Sequence, residues 1–202
     1  MPENASNTTA LRPLVLASTS PYRKELLSRL GLPFQTEAPA VDESPEAGEP
    51  PAKLAVRLAL AKAHEVAARF PDAVVIGSDQ VADLHGEPLG KPGTHERAVA
   101  QLRRMRGETV VFQTAVAVVC HNTGFEQADL AAVQVVFRQL SDQQIEHYLQ
   151  TEKPYDCAGS AKSEGLGIAL LTRITNDDPT ALIGLPLIRT CHLLRAAGVD
   201  VL

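Results

Sequence analysis

The amino-acid sequence predicts an α/β fold, and three stretches carry that prediction. The apolar run Leu14-Val15-Leu16-Ala17-Ser18 is followed at once by a helix-start signal. The Ala-rich segment Ala52 to Phe70, spaced as a helix, leads into the β-rich run Val74-Val75-Ile76. Farther on, Thr109 to Cys120 and Phe125 to Phe137 read as two long strands joined by the tight turn His121-Asn122-Thr123-Gly124. At 202 residues the chain can bury a real core, and one domain over 14–202, with room for two lobes, is expected.

The leader MPENASNTTALRP, residues 1–13, is polar and lacks an apolar signal core. It is expected to fray, in a cytoplasmic protein. Without a secretory signal, Asn4-Ala5-Ser6 and Asn7-Thr8-Thr9 are chance matches to glycosylation sequons. Ser20-Pro21 reads as an N-cap with Pro at the first helical position. The helix Tyr22 to Leu30 then sets Leu26, Leu27 and Leu30 on one face, and Gly31 stops it. Arg23 and Lys24 occupy the first turn, where the macrodipole disfavours each cation by ~0.3–1 kcal/mol. Either both are solvated at small cost, or an anion sits there, held by free N–H groups and Arg23.

Pro33 to Glu37 is a second strand, followed by an acidic, proline-rich loop through Pro51. Within it, Asp42-Glu43 are either metal ligands or part of a solvated loop. The helix Ala52 to Phe70 aligns Leu54, Leu58 and Ala61, with Val56, Leu60 and Ala63 beside them. Lys62 falls among these small apolar residues; it either snorkels along the helix or reaches into a cleft.

The stretch from Ala73 to Pro92 is the centre of the chain. Asp79 follows the run Val74-Val75-Ile76, where an open α/β sheet presents its ligand site. A reversal at His85-Gly86 would lay residues 79–80 across from 91–92 and set Asp79 beside Lys91. Pro88 fits an edge strand. An acid and a base held together there suit a metal-assisted phosphate site; the alternative is a surface ion pair beside a hairpin. Next comes a helix from Thr94 to Arg106, with Ala98, Leu102 and Met105 inward and Gly107 at its end. Ser141-Asp142-Gln143-Gln144 is a capping box opening a helix to about Gln150. Lys153 to Gly167 is a loop of small and polar residues, with Lys162 and Glu164 as its charged candidates, and a strand Ile168 to Ile174 follows. Gly184-Leu185-Pro186 leads into a last helix, Leu187 to Ala197.

Composition narrows the classes. The hydrophobic fraction of 45% and charged fraction of 21% are those of an ordinary globule. No apolar run approaches the ~20 residues of a membrane span. Cys120, Cys157 and Cys191 are odd in number, far apart and lack C-x-x-C. A disulfide framework and structural zinc are therefore not expected, and all three read as small buried hydrophobes. A net charge of −5 and eight aromatics, five Phe and three Tyr, argue against a nucleic-acid polymer as partner. A local cluster of bases can still bind a small anion. Gly86 to Lys91 is one residue short of a phosphate loop and has Pro92 in the hydroxyl position. No G-x-G-x-x-G follows a strand, there is no G-x-S-x-G or H-E-x-x-H, and the six histidines show no ligand spacing.

Seven short motifs nevertheless occur in a telling order: LASTSPYRKELL, VDE, LALAKA, GSDQV, LGKP, CAGSAKSEGLG and LIGLPL. From about Leu14 to the C-terminus the chain resembles the Maf-type nucleotide pyrophosphatases. The resemblance implies a Maf/ITPase-like fold, a mixed, bent β-sheet flanked by helices with a cleft between two lobes. It implies hydrolysis of a nucleoside triphosphate at the α-phosphorus, a divalent cation (Mg²⁺ or Mn²⁺), and a homodimer. Motif by motif, Asp79 matches the proton acceptor for the attacking water. Ser18, Arg23, Glu43, Lys62 and Lys91 match the lining of the phosphate and metal site. Glu43 and Asp79 are its carboxylates, suited to a hard cation. Tyr22, Gln80 and Glu164 stand where members acting on dTTP and UTP carry other residues, and this combination resembles the branch acting on 7-methyl-GTP. A cationic methylated base gains ~0.5–2 kcal/mol on an aromatic face such as Tyr22. Glu164 can accept from the guanine N1 and N2 donors. A dTTP/UTP pyrophosphatase, and a nucleotide-binding regulator of septum formation with little turnover, are the alternatives.

Overall fold

The first apolar run forms strand β1 (Leu14–Ala17), buried at all four positions as a strand covered on both faces must be. The computed structural model of the chain describes residues 12–202. Both sequons lie outside the described residues, as do residues 1–11 of the leader. Residues 12 and 13, expected to fray with it, are tied to the next strand but one. The Pro13 carbonyl accepts from Val74 N–H at 2.8 Å, and Arg12 reaches the Asp72 carbonyl at 3.3 Å.

Helix α1 (Pro21–Ser28) starts at Ser20, whose Oγ accepts from Arg23 N–H. Strand β2 (Gln35–Glu37) begins two residues later than the sequence suggests, where its pairing with Val15 begins. Helix α2 (Pro51–Arg69) is followed by β3 (Val74–Leu84) and the short edge strand β4 (Glu87–Leu89). Helix α3 (His95–Met105) buries Ala98, Leu102 and Met105. Strands β5 (Thr109–Cys120) and β6 (Phe125–Phe137) have the expected bounds, and the Ser141 capping box opens α4 (Asp142–Glu152). Strand β7 (Leu171–Thr175) starts three residues later than expected, because Leu166–Leu170 coil into a 3-10 helix. Helix α5 (Leu187–Ala196) closes the chain.

The sheet runs β2-β1-β3-β5-β6-β7, with β4 paired to β3. β1 is parallel to β2 and β3 and every other pair is antiparallel, so the sheet is mixed. On one face α2 packs Leu54, Leu58 and Val66 against Val15, Val75 and Ala117. On the other, Leu26 and Leu27 of α1 and Leu193 and Leu194 of α5 meet Leu16, Ile76 and Val116. Helices α3 and α4 form a separate core with the far halves of β3, β5 and β6, centred on Leu102, Phe112 and Ile145. The inward face of α2 is not quite the stripe expected: Val56, Leu60 and Ala61 are only half-buried, while Ala55, Ala59 and Lys62 are buried.

One detail of pairing positions the site. β1 accompanies β3 up to Gly77, and β4 joins the same edge only at Ala82. From Ser78 to Val81 that edge has no strand partner, and a cleft opens there between the end of β1, α2 and the loop 156–164. Open sheets bind ligands where their pairing switches in this way.

Candidate functional site

Side chains alternate along β3, so Gly77 and Asp79 face α2 while Ser78 and Gln80 face the opposite side. A Cβ on Gly77 would lie 2.1 Å from the Ala59 carbonyl oxygen and 2.7 Å from Ala63 N. Only glycine allows α2 to lie so close. That approach brings Lys62 to Asp79, with Nζ 2.6 Å from Oδ1. The same ammonium is 2.6 Å from Glu43 Oε1, and Lys62 is only 4% exposed. A buried ammonium needs such partners. The snorkelling alternative for Lys62 is thereby overturned; its head group enters the cleft.

Glu43 reaches Lys62 because its loop is strapped to α2. Arg57 grips Glu49 through Nε and Nη2, at 2.6 and 2.7 Å, and Nη2 also donates to the Ser44 carbonyl at 3.0 Å. Burial pushes the Glu43 carboxyl up, but its bond to Lys62 and the charges of Lys62, Lys91 and Arg23 outweigh this and hold it below the usual range. Glu43 thus stays half-exposed on its loop while its carboxylate is engaged by Lys62 at the cavity.

The two cations at the start of α1 behave differently. Lys24 is exposed, whereas Arg23 turns inward and donates from Nε to the Gly184 carbonyl at 2.8 Å. Burial lowers the Arg23 pKa, opposed by Asp79 and Glu43. Ser18 Oγ accepts from Ser20 N–H at 3.1 Å, which ties the β1–α1 turn. On β3, Ser78 Oγ bonds the carbonyls of Ala115 and Gly184 at 2.8 and 3.0 Å. Gln80 Nε2 lies 3.0 Å from Thr114 Oγ1 and from the carbonyls of Ala181 and Leu182. The turn 181–184 is thus pinned to β3 and β5 by side chains.

A single cavity of about 260 Å³ joins these groups. Its lining includes Ser18, Tyr22, Arg23, Glu43, Lys62, Gln80, Lys91 and Glu164, but not Asp79, Asp42 or Lys162. Asp79 is 7% exposed and meets the cavity through Lys62. Tyr22 lies near Lys162, whose Nζ is 5.9 Å from the ring centroid. Cys157 also lines the cavity, and burial, then the Asp156 charge, push its thiol up to about 12. Among the described residues no three His, Cys, Asp or Glu side chains gather as a complete metal cage. Glu43 and Asp79 nevertheless share one positive charge, the Lys62 ammonium. Two such carboxylates fit Mg²⁺ or Mn²⁺, which complete their shells with water and phosphate oxygens.

A family model described as Maf-like protein matches residues 13–197. The chain belongs to the Maf family. A relative from Polaromonas sp., named 7-methyl-GTP pyrophosphatase, is 73% identical over 192 residues, covering 95% of this chain and 88% of its own. Relatives of the same name from Albidiferax ferrireducens and Methylobacillus flagellatus are 69% and 59% identical, over 95% and 94% of this chain and 96% and 99% of theirs.

In this Maf chain, two expectations drawn from the sequence need correction. The register of the β3–β4 hairpin is as expected, with Ala82 opposite Leu89, but the ladder stops there. Lys91 is therefore not a cross-strand neighbour of the Asp79–Gln80 pair. The Gly90 carbonyl accepts from Gln101 Nε2 and Gly159 N–H, drawing the chain off the edge, and Lys91 meets the others across the cavity. Cys120 is buried, but Cys157 and Cys191 are only partly so. The histidines His64, His85 and His95 pair with Glu126, Glu108 and Glu146 outside the cavity. Sequence reasoning missed Gly77, Arg57, Ser78 and the turn 181–184. Gly77 and Ser78 stand in the GSDQV motif and the turn in LIGLPL, whereas Arg57, acting through an isolated pair, left no signal.

Proposed function

We propose that this chain hydrolyses 7-methyl-GTP to 7-methyl-GMP and diphosphate, and so removes a modified nucleotide before incorporation. The observation that supports it is one cavity lined by Arg23, Lys62 and Lys91, by Glu43, and by Tyr22 with Glu164, with Asp79 paired to Lys62 just behind its wall. Three bases offset the charge that a triphosphate develops as it reacts, and their fixed positions spare reorganisation. Arrival of phosphate oxygens gives Lys62 new partners and frees a lone pair of Asp79. Asp79 then takes the proton of a water that attacks the α-phosphorus. The new bond is water oxygen to phosphorus; the bond to the α,β-bridging oxygen breaks and diphosphate leaves. Glu43 and Asp79 would hold Mg²⁺ or Mn²⁺, which supplies further charge neutralisation and acidifies nearby water. Tyr22 offers its ring to the cationic base, and Glu164 accepts from guanine N1–H and N2–H.

No helix among the described residues is long and apolar enough to cross a membrane. A cytoplasmic location and a homodimer belong to the same proposal, on the family resemblance. Diphosphate release from a panel of triphosphates, run with each metal, tests the function. The expected result is fastest release from 7-methyl-GTP. Equal or faster release from dTTP and UTP would favour the other substrate class, and release from none would leave a nucleotide-binding regulator. Sedimentation tests the dimer.

A further inference from the structure

Glu164 stands on a loop, and a loop selects among bases only if something holds it still. Residues 158–167 have little regular structure beyond single 3-10 turns, and Gly159 and Ser160 both have positive φ, 61° and 55°. A non-glycine residue in that region is strained and persists only when its surroundings fix it. Two side chains of α4, one turn apart and on the same face, do the fixing.

Tyr148 is 2% exposed. Its hydroxyl donates to the Ser160 carbonyl and accepts from Lys162 N–H, each at 3.0 Å. Glu152 accepts from Leu166 N–H at 2.8 Å and pairs with Lys162 Nζ at 3.3 Å. The four contacts bracket Ser163-Glu164 from both sides. The glycines of the loop fit this arrangement: a Cβ on Gly165 would lie 2.7 Å from the Glu152 carboxylate, and one on Gly167 2.3 Å from the Lys162 carbonyl oxygen. Neither Tyr148 nor Glu152 lines the cavity, whereas Ala158, Ala161 and Glu164 of the loop do.

We propose that Tyr148 and Glu152 are positioning residues for base selection, fixing Glu164 opposite Tyr22 from outside the cavity. This rests on the assignment of Glu164 to base recognition made above. Discrimination by a hydrogen-bonding site depends on partners being in place, and each 1.4 kcal/mol of lost discrimination is a factor of ten. Tyr148→Phe keeps the ring and removes both hydroxyl bonds. Glu152→Gln keeps an acceptor for Leu166 N–H but weakens the hold on Lys162, and it serves if Tyr148→Phe fails to fold.

The experiment measures kcat/KM for 7-methyl-GTP, GTP, dTTP and UTP in the full chain, the two variants, Glu164→Gln and the double variant Tyr148→Phe/Glu164→Gln. Wild-type data alone decide which base is preferred, and so judge the 7-methyl-GTP assignment separately. For whichever base that is, Tyr148→Phe should lower preferred-over-disfavoured selectivity about tenfold, chiefly through KM. Glu152→Gln should lower it about threefold. In the Glu164→Gln background, Tyr148→Phe should lower it no further. Folded variants with unchanged selectivity would overturn the proposal. So would a double variant whose losses multiply, since Tyr148 would then act independently of Glu164.

Discussion

At the scale of single residues, the proposed chemistry turns on the Lys62 ammonium, which lies between Asp79 and Glu43. Asp79→Asn keeps an oxygen acceptor for Lys62, so the fold should survive, as circular dichroism would report. Without a proton acceptor, turnover should fall by about 10²–10⁴-fold, measured as diphosphate release. Full activity in that variant would remove Asp79 from the mechanism. Lys62→Met should behave differently. It leaves two carboxylates facing each other without their shared cation, and Asp79 is nearly buried. Removing one partner of a buried ion pair costs about 3–5 kcal/mol, so the urea midpoint should drop as well as activity. Had Lys62 snorkelled, as its helix alone allows, the same change would be nearly neutral in stability.

At the scale of elements, the strap between α2 and the loop bearing Glu43 makes a pH-dependent contribution. Arg57 holds the Glu49 carboxyl down to about 2, chiefly through its hydrogen bonds, against ~4.3 in an unfolded chain. A carboxyl with a depressed folded pKa stabilises the fold above its unfolded pKa, and that contribution is lost as pH falls toward the folded value. The stability difference between wild type and Glu49→Gln should therefore be full at pH 6 and shrink between about pH 4 and 2, in urea titrations at several pH values. A difference independent of pH would mean that the ion pair contributes nothing. Nothing in the sequence marks Arg57, because a grip between residues eight apart across a loop has no period or spacing. Elements with local causes were legible. The Ser141 capping box, the residues 121–124 turn and the bounds of β5 and β6 all agree with the structure. Ile168-Ala169-Leu170 was misleading for the opposite reason. Its apolar run suits a strand, but ties from Gly165 and Arg138 hold it in a 3-10 turn, and Ile168 ends half-exposed. Likewise the hairpin register could be read from the reversal, whereas the departure at Gly90 depends on Gln101 and Gly159, contacts no local pattern reveals.

At the scale of the whole molecule, β3 contributes to all three packed clusters, and the cleft exists because its edge changes partners between Gly77 and Ala82. The motifs placed the site residues in order along the chain, but their convergence depends on how closely α2 lies against β3. Gly77 sets that distance. A methyl group there would meet the backbone of Ala59 and Ala63, which cannot swing aside as a flexible side chain would. Gly77→Ala must therefore push α2 outward, and overpacking of this kind costs typically ~1–3 kcal/mol. The same displacement draws Lys62 away from Asp79, so turnover should fall even in the fraction that stays folded. Gly86→Ala provides the contrast. Gly86 has φ +86° and open space around its Cβ position, so alanine there meets only backbone strain, of order ~1 kcal/mol. Both variants should lose stability in urea, but only Gly77→Ala should lose kcat at temperatures where each is fully folded. Equal kcat in the two would show that the spacing of helix and strand does not govern the site.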